Sequence, residues 1–192
     1  APLSLLETTD RPATTDGRYG ERINGTLVPE TVPLNDTLSV GRFEVTQAQF
    51  RAFASDYEGL SGAPDHPAHG LSAEQAQAYV DWLREQTGRD YRLPRQAELD
   101  MLKEKRSGPS ENTPAYWAGF SPNPDEYNRL RARLDQQPLR ALLMPVGSRP
   151  PGHGTEGNGP LVYDVDGNVA EWAATDTGLE PQNGSILTLA DP

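Results

Sequence analysis

The run Tyr163-Asp164-Val165-Asp166-Gly167-Asn168-Val169-Ala170-Glu171-Trp172 is the densest and least generic stretch of this chain. Three acids and an amide surround one glycine and stop at a tryptophan. Asp and Asn beside a Gly make tight turns in which side-chain and backbone oxygens converge. Converging oxygens also suit a hard cation such as calcium. The residues therefore admit two readings: a capped turn anchored by a buried Trp172, or an oxygen-lined cation site. The spacing does not match an EF-hand loop. Gly167 follows two acids rather than three alternating ones, and no Glu stands at the twelfth position.

Composition sets what such a turn can be embedded in. A chain of 192 residues makes one domain, or one domain with an arm. Eighteen Gly and 18 Pro point to a loop-rich fold rather than a helical bundle. The net charge of -11 argues against nucleic acid and anionic membrane surfaces, and is compatible with a cation or a basic partner. No apolar run approaches the roughly 20 residues of a membrane span. No signal peptide is present, and a chain that starts at Ala1 reads as a mature or trimmed form. The absence of cysteine excludes disulfides, thiolate metal sites and cysteine catalysis within this polypeptide.

Along the chain, residues 1–37 lack sustained periodicity and read as an irregular arm with one strand near Gly25 to Val28. Leu38 to Val45 alternates as a strand does. Thr46 with Gln49 is a capping box, opening a helix over 47–56 that turns Ala48, Phe50, Phe53 and Ala54 inward. Residues 57–70 read as a loop. A second capping box, Ser72 with Gln75, opens a helix carrying Ala76, Tyr79, Val80 and Leu83 on one face and closed by Gly88. Pro94 is placed to begin a third helix with Ala97, Met101 and Leu102 inward, fraying near Ser107. Residues 107–127 read as a loop with Tyr116, Trp117 and Phe120 as anchors. Asn128 to Leu134 reads as a short helix, and a Gly/Pro-rich loop runs to Pro160.

Four stretches together resemble the formylglycine-generating (sulfatase-modifying factor) family. Asp164 to Trp172 resembles its "DMxGNVWEW" signature, and Phe43-Glu44-Val45-Thr46-Gln47-Ala48-Gln49-Phe50 resembles "yEVTnaqy". His66-Pro67 with Leu71-Ser72 and Ala76 to Leu83 resembles "hPVvnVsw.dA.aYa.WL", and Tyr91-Arg92-Leu93-Pro94-Arg95-Gln96-Ala97-Glu98 resembles "yRLPTEAE". They occur in the family's order over about 130 residues. The resemblance implies an α+β, C-type-lectin-like fold: a small, twisted, mostly antiparallel sheet with two or three helices and long loops. It assigns residues 38–192 to that domain, with the family's closing strand missing.

The family's founding activity is copper-dependent oxidation of a substrate cysteine, using cysteines after a "GGSw" motif. The corresponding place here is Asn183-Gly184-Ser185, without any cysteine, and no copper or iron site is identified. His66-x-x-His69 is interrupted by Pro67, which disfavours a helical metal pair; His153 stands apart in the Gly/Pro loop. What the resemblance does imply is structural calcium, held by Asn168, Glu171 and the Val169 carbonyl, with Asp166 adding charge where the family has a neutral residue. Otherwise Glu171 caps backbone N–H groups or pairs with an arginine such as Arg92. Arg92 and Glu98 read as structural, and Trp82 and Trp172 fall on the family's core positions.

The expected function is a noncatalytic ligand-recognition or sensor domain, bacterial and exported, that takes a small ligand, glycan or peptide. Its contact residues would be Tyr116, Trp117 and His153 in loops. Two alternatives stand beside it. One is an oxidoreductase or maturation enzyme of the same family whose catalytic part lies elsewhere or does not use cysteine. The other is a structural subunit completed by a protein partner that supplies the closing strand.

Overall fold

The computed structural model describes residues 19–104, 143–147, 162–165 and 168–182. Within them the order is β1 (Gly20–Ile23), β2 (Thr26–Pro29), β3 (Thr31–Pro33), β4 (Ser39–Gly41), α1 (Gln47–Phe53), α2 (Ala73–Thr87), α3 (Gln96–Glu104), β5 (Glu171–Thr175) and β6 (Gly178–Gln182). The strands form three separate two-stranded antiparallel ladders, β1–β2, β3–β4 and β5–β6. The class is α+β as expected. The single small sheet is replaced, among the described residues, by three ladders.

Residues 20–37, expected as an irregular arm with one strand, hold three strands. The overlooked signal is Asn24-Gly25. Both residues adopt positive φ, 51° and 83°, between the paired residues Ile23 and Thr26. Two consecutive left-handed residues define the hairpin turn whose twist matches that of the strands, and Asn-Gly is its strongest sequence mark. The strand expected over Leu38 to Val45 is confined to β4, because Arg42 to Val45 leave the ladder. The Arg42 backbone N–H instead bonds the Glu30 carbonyl, and its own carbonyl accepts from the Tyr163 N–H.

Both capping boxes are present. Thr46 and Ser72 each accept the N–H of the third helical residue, and Gln49 and Gln75 return a carboxamide oxygen to the cap N–H. The α2 helix ends at Gly88, whose φ of 69° only a residue without a Cβ adopts freely. The α1 helix is shorter than the expected 47–56, ending where Ala54 turns extended. It buries Gln47, Gln49 and Phe50, whereas Ala48 is only partly covered. Gln49 is a working core polar group: its Nε2 donates to the Tyr19 carbonyl at 2.9 Å.

The third helix departs most from expectation. It starts at Gln96, two residues after Pro94, and Ala97 and Met101 face solvent. Leu102 is buried as expected, and Leu99 takes the other inward position. The start is displaced because Pro94 is engaged elsewhere: its carbonyl accepts from the Ala174 N–H, and Arg95 bridges Ala174 in parallel register. That leaves Glu98 to cap the helix by accepting the Arg95 N–H at 2.8 Å.

Three apolar clusters hold these elements. Val28, Phe50, Tyr79 and Leu83 join the β1–β2 hairpin to α1 and α2. Leu99, Leu102 and Ala173 join α3 to β5. Tyr19, Phe43, Val146 and Tyr163 form the third, with Phe43 stacked on Tyr163 at 4.9 Å and edge-on to Tyr19 at 5.0 Å. Aromatic pairs in these geometries each add about 1 kcal/mol beyond area burial. Trp82 and Trp172, expected in the core, are half-buried.

Candidate functional site

All four stretches singled out in the sequence meet at residues 168–174. Glu44, from the first, receives the Asn168 amide Nδ2 at 2.7 Å and the Val169 backbone N–H at 3.0 Å, one on each carboxylate oxygen. Leu71, from the second, offers its carbonyl to the Trp172 indole N–H at 3.0 Å. Pro94, from the third, offers its carbonyl to the Ala174 N–H at 2.9 Å. The signature stretch is thus the seam along which distant parts of the chain are tied.

Asn168 is the centre of the seam. It is 3% exposed and sits at a φ of 61°, a left-handed conformation that Asn tolerates better than most residues. Its Oδ1 accepts the Met144 N–H at 3.0 Å, and its Nδ2 donates to the Met144 carbonyl at 3.1 Å as well as to Glu44. A side-chain amide that accepts from and donates to one backbone residue mimics a strand partner. Asp164, also left-handed at φ 54°, supplies only the accepting half of this arrangement, taking the Gly147 N–H at 2.6 Å. Gly147 lies so close to the aromatic cluster that a Cβ there would stand 2.8 Å from Phe43 Cε1. These bonds seat residues 143–147 against the signature turn, with Val146 fully buried beneath.

The expected site residues are placed unevenly. Asn168 and Val169 come together, through Glu44, which sequence reasoning quoted in a motif but gave no role. No short-range signal marks it, because its partner lies 124 residues away. Glu171 opens β5, half-buried. It does not pair with Arg92, which forms a two-pronged ion pair with Glu98 at 2.8 and 2.5 Å. That pair holds the Glu98 carboxyl below the usual range, chiefly through the Arg92 hydrogen bond. Asp166, Tyr116, Trp117 and His153 lie outside the described residues. Among the described residues, no group of three or more His, Cys, Asp or Glu side chains is gathered as metal ligands.

His66 and His69 sit in the 57–70 loop, tied by Tyr57, whose hydroxyl accepts the His69 N–H and donates to the His69 carbonyl, both at 2.9 Å. Burial raises the Tyr57 phenol above its ordinary pKa. Arg51 lies over the Tyr57 ring at 5.7 Å and donates to Gln47 Oε1 at 3.2 Å, joining the loop to α1.

The architecture so assembled is an α+β domain whose signature turn serves as a tie for remote backbone. A family model described as "Sulfatase-modifying factor enzyme 1-like domain" matches residues 12–187, and the chain belongs to that family. No curated protein and no solved structure matches it. No helix among the described residues is long and apolar enough to cross a membrane.

Proposed function

We propose that this chain is a noncatalytic recognition domain built on the family's scaffold, of C-type-lectin type, rather than an enzyme that makes formylglycine. One observation carries the reading: the sequence contains no cysteine, so the thiol chemistry of the family's founding activity has no residue to perform it. The commitment of the signature's polar groups to backbone supports it. Glu44 and Asn168 hold Val169 and Met144, and Asp164 holds Gly147. Such groups build a platform, and on a platform of this kind specificity resides in the loops. The ligand is a small molecule, glycan or peptide, contacted by Tyr116, Trp117 and His153. Screening the intact chain against glycan and peptide arrays, followed by calorimetry, tests this. Trp117→Ala is expected to lose binding without a change in melting temperature. Binding unaffected by all three substitutions to Ala would reject the assignment of the ligand face.

Calcium enters this proposal as a structural ion. Asp166, Asn168 Oδ1, the Val169 carbonyl and Glu171 are an all-oxygen donor set, the kind a hard cation takes. Asn168 Oδ1 keeps a second lone pair after accepting from Met144. The ion would hold the turn and perform no chemistry. Chelation is expected to lower the melting temperature, and Glu171→Gln to remove that response; an identical melt with and without chelator rejects the ion.

A further inference from the structure

We infer that Asn24-Gly25 is a self-modification site: deamidation of Asn24 removes the side chain that caps α2 and loosens the β1–β2 hairpin from that helix. The turn is open to the reaction. Both residues are exposed, and nothing lies within 4 Å of where a Cβ on Gly25 would stand. The chain has two other Asn-Gly steps, Asn158-Gly159 and Asn183-Gly184, which lie outside the described residues.

The step needs no co-reactant but water. The Gly25 backbone nitrogen attacks Asn24 Cγ, and the Cγ–Nδ2 bond breaks. The amide nitrogen leaves as ammonia, taking up the proton that Gly25 gives up, and a five-membered cyclic imide remains. Water then opens the ring at either carbonyl. One opening leaves an ordinary aspartate; the other leaves isoaspartate, with the main chain rerouted through Cγ. One water enters, one ammonia departs, and nothing is oxidised or reduced. A glycine hinders this ring closure least, because it has no side chain beside the attacking nitrogen and the freest backbone.

The side chain that is lost has a task in the fold. Asn24 Nδ2 donates to the Gln86 carbonyl at 3.1 Å. Gln86 lies in the last turn of α2, where carbonyls lack partners within the helix; the Gly88 N–H serves the Arg84 carbonyl, and Asn24 serves this one. Either product replaces the amide donor with a carboxylate, which cannot donate and brings negative charge to the negative end of the helix. Isoaspartate also lengthens the main chain. Two residues at positive φ, 51° and 83°, close the turn between Ile23 and Thr26, and a longer main chain does not fit that geometry. The Arg89–Glu21 tie at 2.7 Å and the burial of Leu27 and Val28 survive, so the hairpin is loosened rather than lost. Ring closure requires Asn24 to let go of Gln86, so the folded chain converts more slowly than the unfolded one.

Peptide mapping by mass spectrometry tests this on the full, unmodified chain, aged for days in warm, mildly alkaline buffer with and without urea. The expected result is amide-to-acid conversion at Asn24 in both samples, severalfold slower in the folded one, with isoaspartate among the products. Asn24→Gln keeps a carboxamide but closes the larger ring far less readily, and should leave the hairpin peptide unconverted. The converted chain, separated by its added negative charge, should show hairpin amides that exchange severalfold faster relative to Leu99 in α3. Its melting temperature should be about 2–4 °C lower. No conversion at Asn24 in the folded chain, or a converted chain that exchanges and melts like the original, would overturn the proposal.

Discussion

Asn168 and Tyr79 show how differently two buried polar residues can matter. Asn168 spends its amide on Glu44 and on both backbone groups of Met144. Its removal takes away one bond to the Glu44 carboxylate and both bonds to the Met144 peptide groups. Each unsatisfied buried group costs about 1–3 kcal/mol, so Asn168→Ala should destabilise by about 3 kcal/mol or more in urea unfolding. Tyr79 is the opposite case: it packs against Phe50, Phe53 and Trp82, yet its hydroxyl is buried without a hydrogen-bond partner. Burial accordingly pushes its pKa far above the ordinary phenol value. Tyr79→Phe keeps the ring and discards only the unpaired hydroxyl, so stability should be unchanged or higher by about 1 kcal/mol. A loss of that size would mean that the hydroxyl has a partner.

At the scale of elements, local chemistry was readable and long-range contacts were not. The two capping boxes and the Gly88 stop follow from residues three apart or adjacent, and the structure has them as expected. Thr46→Ala and Ser72→Ala should each cost about 1 kcal/mol, the larger loss falling on fully buried Thr46. The Asn24-Gly25 turn is a local signal of the same kind, although its flanking strands are only four residues long and alternate weakly. The register of α3 was not legible. The start at Gln96, rather than at Pro94, depends on the bond from Ala174 to Pro94, which joins segments 80 residues apart. No helical periodicity encodes that contact. The Arg92–Glu98 ion pair at this junction gives a further expectation. Arg92 lowers the Glu98 pKa, so its stabilisation is present above the ordinary carboxylate range and lost as pH falls through the depressed value. Glu98→Gln should flatten that part of the acid-unfolding profile, with a modest effect because the pair is partly solvated.

For the whole molecule, family membership was legible because four motifs stand in order, and the structure adds why they travel together. Glu44, Leu71 and Pro94 each bond the 168–174 segment, so each motif supplies one tie to a shared seam. What the seam serves was not legible, since side chains that hold backbone use the same Asn, Asp and Glu as side chains that bind ions or ligands. The central claim is that this chain recognises a ligand and does not oxidise cysteine. The most direct test supplies the intact 192-residue chain with copper, oxygen and a cysteine-containing peptide, and measures oxygen uptake together with peptide aldehyde. The expected result is no uptake and no aldehyde above a copper-only control. Aldehyde formation that requires the protein would contradict the account and return the chain to the enzymes of its family.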